Sequence, residues 1–180
     1  MNDLTYNKHI NFANIEKTKA DLNLIKKEVG RNLAKLLSEK DTVAIKDFFG
    51  QNLVNPITMR LFVQDSSQPG ECMYCSETQQ IVEEISELSD KISLDIHKVP
   101  TDDGLVKQYD VERVPALILE KESVDSGVRF YGIPSGYEFG TLIEDIADLS
   151  TGKTKLTEEL LQQVEQVQKD VTIKVFVTPT

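Results

Sequence analysis

The alternation of apolar spacing along residues 38–149 constrains this chain more than any other feature. Ser38 opens a capping pattern, SEKD, ahead of a helix that reaches Phe48 or Phe49, and Gly50 and Pro56 close the connection. ITMRLFVQ, residues 57–64, is rich in β-branched and apolar side chains and reads as a strand. CSETQQIVEEISELSD then places apolar residues at 81, 82, 85 and 88, one face of a helix starting near Cys72. ISLDIHKV alternates Ile92, Leu94 and Ile96 with polar partners as a second strand, and DDGLVKQY forms a short helix. VPALILE is a third strand, KESVDSG a link and VRFYG a fourth strand. Tyr137, Phe139, Leu142, Ile143, Ile146 and Leu149 then fall at helical spacing. Helices between the early strands favour parallel pairing there, and the seven-residue link favours an antiparallel hairpin later. An α/β fold follows, a mixed four-stranded sheet flanked by helices.

Charge narrows the function classes. Twenty Lys and Arg against thirty Asp and Glu leave a net charge of −10, which argues against a nucleic-acid backbone as the main ligand. The balance is uneven: residues 1–36 hold seven basic and four acidic side chains, so a basic extension precedes an acidic body. Within it, Ile15, Leu22, Val29 and Leu36 recur every seven residues, which predicts an amphipathic helix packed on the body or, as the alternative, a homo-oligomer formed through that face. No apolar run approaches the roughly 20 residues a membrane span needs, and no apolar h-region follows the amino terminus. A cytoplasmic location away from the membrane is the resulting expectation.

The chain also echoes itself. LSE at 37–39 is matched by LTE at 156–158, each opening a helix, and ITMRLFV at 57–63 is matched by VTIKVFV at 171–177. After a linker at Thr151-Gly152, the expectation is a helix and first strand of a truncated second unit, residues 151–180, behind a complete unit at 37–150.

The chemistry-bearing motif is CMYC, which holds the only two cysteines, Cys72 and Cys75. A structural zinc needs four ligands, and His9 and His97 stand far apart and unpaired in sequence. An iron–sulfur cluster bridged between two chains would need only two thiolates from each and stays open on ligand count. A passive staple closing so small a loop restrains little of the unfolded chain. The redox reading has a mechanical basis. Cys72 at the mouth of a helix meets unsatisfied N–H groups and the positive end of the dipole, which lower a thiol pKa from about 8.5. Cys75, a turn further in, can close a disulfide and resolve a mixed one. Glu71 and Asp65 place negative charge nearby and moderate that acidification. Val114-Pro115 heads the third strand. The proline is either a simple strand boundary or a cis residue that would lie against the cysteines and expose the Val114 backbone to an extended substrate segment.

A strand, C-x-x-C at a helix start, a strand, a helix and Val-Pro before a hairpin resemble the thioredoxin-like superfamily. More narrowly, NPITMRLFV, CMYC, YDVERVPALIL, GVRFYGIPSGYEFGTLIEDI and VFVTPT look like the protein disulfide oxidoreductases, glutaredoxin-like proteins of two thioredoxin-fold units. The resemblance covers about residues 37–180 and implies thiol–disulfide exchange on protein disulfides. It makes Cys72 the attacking cysteine, Cys75 the resolving one and Pro115 the cis-proline, with Tyr74 shaping access beside Val114. No metal or tightly bound cofactor is implied. The implied partners are protein disulfide substrates and a reductase, such as a thioredoxin-reductase-like flavoprotein. Two alternatives accompany it: an electron-relay module for a peroxidase-reducing flavoprotein system, and a non-catalytic binding module. The basic extension lies outside the family pattern, and no second C-x-x-C is present.

Overall fold

The computed structural model describes residues 35–65, 69, 70 and 72–178. The chain divides at Leu36/Leu37, and the architecture below is that of the unit from Leu37 onward. Residues 14–34 of the helix expected over 14–36 lie outside the described residues, as does Glu71.

Helix α1 (Glu39–Asn52) opens on the expected cap: the Ser38 hydroxyl accepts from the Asp41 N–H at 3.1 Å and donates to the Asp41 carboxylate at 2.7 Å. It continues through Gly50 to Asn52, past the expected end. A mid-helix glycine costs only about 0.5–1 kcal/mol, and Phe49 and Leu53, both buried, hold the last turn to the core. Strands β1 (Ile57–Gln64) and β2 (Ile92–Val99) pair in parallel across helix α2 (Cys75–Ser86). After the short helix α3 (Asp103–Gln108), β3 (Ala116–Lys121) returns antiparallel to β1, and β4 (Val124–Tyr131) pairs with β3. Helix α4 (Tyr137–Thr151) follows and ends at Gly152, whose φ of 67° is the left-handed value glycine takes without strain. The sheet order is β2-β1-β3-β4, the mixed four-stranded sheet expected from the element order.

The β3–β4 link differs from expectation. Only Glu122 and Ser123 make the turn, both with positive φ (52° and 63°), and pairing resumes at once with Lys121 opposite Val124. Two-residue hairpins need that left-handed pair, usually signalled by Asn-Gly, so Glu-Ser hid the turn. The rest of the expected link forms the start of β4 and a bulge. From Ile118 to Glu120 β3 advances two residues while β4 runs from Arg129 to Asp125, with Gly127 at φ 80° inside the excess.

The two sheet faces carry different contents. Ile57, Met59, Leu61 and Val63 of β1, with Leu117 and Leu119 of β3, meet α1, α2 and α4 in the main core. Phe62, Ala116 and Ile118 face the other way onto Leu105, Val106 and Tyr109. Ser150 ties the end of α4 to the α1–β1 connection: its hydroxyl accepts from the Val54 and Asn55 N–H groups at 2.9 Å and donates to the Asn55 carbonyl at 2.6 Å.

The second face also holds an ionic network. Arg60 grips Glu120 with Nε and Nη2, both at 3.1 Å, while its Nη1 reaches Asp95 at 2.6 Å and His97 Nε2 at 2.7 Å. The guanidinium stacks over the Tyr109 ring at 4.9 Å. Glu120 is 1% exposed. Burial pushes its carboxyl upward, but hydrogen bonds from Arg60 and Tyr109 and the Arg60 charge outweigh burial and hold it below the ordinary carboxylate value.

Beyond α4 the chain forms α5 (Glu158–Glu165), capped by Thr157, but the strand expected over 171–177 is not formed. Residues 171–178 pair with no described strand and stand exposed, Ile173 at 82% and Phe176 at 87%. A strand exists only through hydrogen bonds to a neighbour, so β-forming composition alone does not produce one. Lys174 reaches sideways from this stretch to meet Glu112 at 2.7 Å.

A depressed carboxyl stabilises the fold above its unfolded pKa and loses that contribution as pH falls through the folded value. Arg60→Leu therefore leaves a buried unpaired charge and costs about 3–5 kcal/mol in urea unfolding at neutral pH. The expected cost shrinks on acidification, and the double variant Arg60→Leu/Glu120→Leu recovers most of it.

Candidate redox site

The site grows from the end of β1. Cys72 and Cys75 are joined by a disulfide, with their Cα atoms 5.5 Å apart. Helix α2 begins at Cys75, not near Cys72: residues 72–74 make the turn that leads in, with the Cys75 N–H donating to the Cys72 carbonyl at 3.3 Å and the Thr78 N–H to the Tyr74 carbonyl at 3.0 Å. The C-x-x-C closure itself occupies what would have been the first turn. Cys75 is thus the first helical residue and Cys72 lies outside the helix, ahead of its N-terminus.

Exposure separates the two cysteines. Cys75 is buried at 9%, Cys72 is partly buried, and between them Met73 (72%) and Tyr74 (42%) face solvent. A partner approaching from outside meets Cys72 before Cys75. Glu77 in the first turn of α2 is exposed and acidic; it favours the helix and opposes a thiolate ahead of it.

The peptide bond before Pro115 is cis, as is the one before Pro100. Pro115 is buried, and its carbonyl accepts from the Gly132 N–H at 3.0 Å. Val114 is partly buried and packs against both cores. The β1–β3 register pairs Leu61 with Leu117 and Phe62 with Ala116, so Val114-Pro115 precedes β3 at the end of the sheet where β1 leaves toward the cysteines. The Gln64 N–H in turn donates to the Cys75 sulfur at 3.3 Å. Topology thereby brings the cysteine pair and the Val114-Pro115 segment to one end of the sheet. Tyr74 is placed in the turn, half-exposed.

Sequence reasoning missed two residues here. Thr78 is fully buried on α2, and its hydroxyl donates to the Gly132 carbonyl at 3.4 Å, linking the cysteine helix to the segment after β4. Its position three residues after Cys75, on the stripe continued by Ile81, Val82 and Ile85, was the available signal. Gln64 had none: side-chain bracing of a loop leaves no periodicity. His97 lies in the ionic network of the opposite face, with Nε2 3.2 Å from Asp95 and Nδ1 3.6 Å from Asp102. Among the described residues no cluster of three or more His, Cys, Asp or Glu could hold a metal.

Sheet order and disulfide together give a thioredoxin-like fold with a C-x-x-C pair at the mouth of its first crossover helix. Comparison with known proteins agrees: residues 67–144 match the family model described as a thioredoxin domain. The chain is 29% identical over 126 residues to the F component of the alkyl hydroperoxide reductase of Xanthomonas campestris pv. phaseoli, covering 70% of this chain and 21% of that protein. Among solved structures it resembles a protein disulfide oxidoreductase from Aeropyrum pernix (TM-score 0.63, 24% identity, 72% of this chain and 54% of that one). It also resembles the NTD_N/C domain of an alkylhydroperoxide reductase from Enterococcus faecalis (TM-score 0.62, 23% identity, 71% and 59%). The aligned region thus spans about a fifth of the curated Xanthomonas relative.

Burial orders the reactivity of the reduced pair. Limiting iodoacetamide added to the dithiol form is expected to alkylate Cys72 several-fold faster than Cys75, read by peptide mass spectrometry. Equal labelling would show that both sulfurs are open to solvent.

Proposed function

We propose that this domain catalyses thiol–disulfide exchange on protein disulfides, with Cys72 attacking and Cys75 resolving. The observation that carries this reading is the disulfide that joins a partly buried cysteine to a buried one across a two-residue turn. The Cys72 thiolate attacks a substrate disulfide, forming a mixed disulfide and releasing one substrate thiolate. The Cys75 thiolate then attacks the Cys72 sulfur, closes the intramolecular disulfide and releases the second. The substrate gains two electrons, the dithiol loses two, and its two protons pass to the released thiolates. Val114, at the same end of the sheet just ahead of β3, offers backbone to an extended substrate segment, and Tyr74 flanks the approach.

A second reading draws on the matched relative, one component of an alkyl hydroperoxide reductase. In that reading the same dithiol relays electrons from a flavoprotein reductase to a peroxidase. In either case the partners are redox proteins, and the domain works in the cytoplasm. The turnover assays separate the readings. Insulin reduction with dithiothreitol is expected to depend on Cys72, with Cys72→Ser falling to background and Cys75→Ser arresting as a mixed disulfide. Activity unchanged in Cys72→Ser would remove the catalytic reading and leave a binding module. Electron delivery to a peroxidase without insulin reduction would select the relay.

We also propose that residues 1–36 are a basic helical extension and that 151–180 begin a second unit. The repeat of ITMRLFV in VTIKVFV supports the latter, together with the apolar side chains that 171–177 leave exposed. Deleting residues 153–180 is expected to leave the unfolding free energy within about 0.5 kcal/mol and to reduce concentration-dependent association in sedimentation. A loss of several kcal/mol would instead make that segment part of the first unit's core.

A further inference from the structure

Gln64, the last residue of β1, contacts Cys75 and the segment that leads toward Cys72. Its backbone N–H donates to the Cys75 sulfur at 3.3 Å. Its side-chain amide donates to the carbonyl of Gly70 at 3.1 Å and of Pro69 at 3.4 Å, two and three residues ahead of Cys72. Gly70 adopts φ 101°, a left-handed value suited to glycine, and a Cβ there would lie 3.7 Å from the Gln64 amide nitrogen. One residue thus binds the buried sulfur through its backbone and the approach to the accessible sulfur through its side chain.

We propose that Gln64 is a positioning residue for thiol–disulfide exchange: its amide clamps the 69–70 carbonyls so that the Cys72 sulfur stays within reach of Cys75. The inference rests on the exchange reading above. The step it governs is the second one, in which the Cys75 thiolate attacks the Cys72 sulfur, a Cys72–Cys75 bond forms, and the bond from Cys72 to the partner sulfur breaks. That step is intramolecular, so its rate and equilibrium follow the effective concentration of one sulfur near the other. The backbone N–H favours the Cys75 thiolate as attacking species, because a donor to a charged sulfur is stronger than one to a neutral sulfur. Substituting the side chain leaves that N–H in place and removes only the clamp.

The experiment equilibrates the full chain with glutathione buffers at fixed pH, quenches with acid, and resolves dithiol, glutathione mixed disulfide and intramolecular disulfide by mass. Gln64→Met keeps the length and removes the donors. Its expected closure constant falls about tenfold, a potential less negative by about 30 mV, and the mixed disulfide accumulates while the thermal midpoint of the reduced form stays put. Gln64→Leu, uncharged and likewise without a donor for the carbonyls, carries the same expectation should the methionine variant fail to fold. A closure constant equal to that of the parent chain in a folded variant overturns the role of Gln64. A parent chain that never forms the Cys72–Cys75 disulfide in these buffers overturns the exchange reading itself, so the two failures are distinct.

Discussion

Everything at the redox end of this domain depends on the double pairing of β1. Because β1 lies between β2 and β3, parallel to one and antiparallel to the other, its carboxyl end is where the cysteine loop leaves and where β3 arrives. No side-chain interaction could substitute for that arrangement. Parallel pairing of β1 and β2 obliges a crossover, and α2 supplies it, starting at Cys75. Antiparallel pairing with β3 then brings Val114-Pro115 back to the same end of the sheet. The site is a consequence of register, and a one-residue slip would exchange the two faces of the sheet.

Those faces differ in how they are held. The face carrying Ile57, Met59, Leu61 and Val63 is an apolar core beneath three helices, where burial alone favours association. The other face is covered by the short α3 and a small apolar cluster, and its contacts are completed by Arg60, Glu120, Asp95, His97 and Tyr109. An ion network of this kind contributes less net stability than well-packed apolar groups, but it is specific: the Arg60 fork fits Glu120 across β1 and β3 and reaches Asp95 on β2. It pins the order of three strands from the side away from the cysteines.

Much of this is legible in the sequence because it is periodic. The strands at 57–64 and 92–99, the stripe on α2 and the apolar spacing of α4 are consequences of which faces are buried, and burial writes itself into spacing. The cysteine pair and Val114-Pro115 are legible because their residue types have few uses. What escapes is non-periodic. The Glu122-Ser123 turn lacks the usual glycine or asparagine, and its positive φ values are imposed by the hairpin on either side. Helix α2 starts later than expected because C-x-x-C closure competes with helix hydrogen bonding over the same residues. The strand expected at 171–177 fails for a third reason: Val171, Ile173 and Val175 have the right composition, yet pairing is a property of two segments and never of one.

The late start of α2 changes where the chemistry of the pair originates. With Cys72 outside the helix and the Cys75 N–H already donating to the Cys72 carbonyl, one of the orphan donors at the helix mouth is spent on the turn. Glu77, acidic and exposed in the first turn, offsets part of the remaining dipole. The asymmetry between the sulfurs therefore comes less from the helix end than from burial. Cys75 is enclosed by the main core and held by the Gln64 N–H, whereas Cys72 is only partly covered, and Met73 and Tyr74 project beside it. Under the exchange reading proposed above, this packing favours attack through the first sulfur before the second.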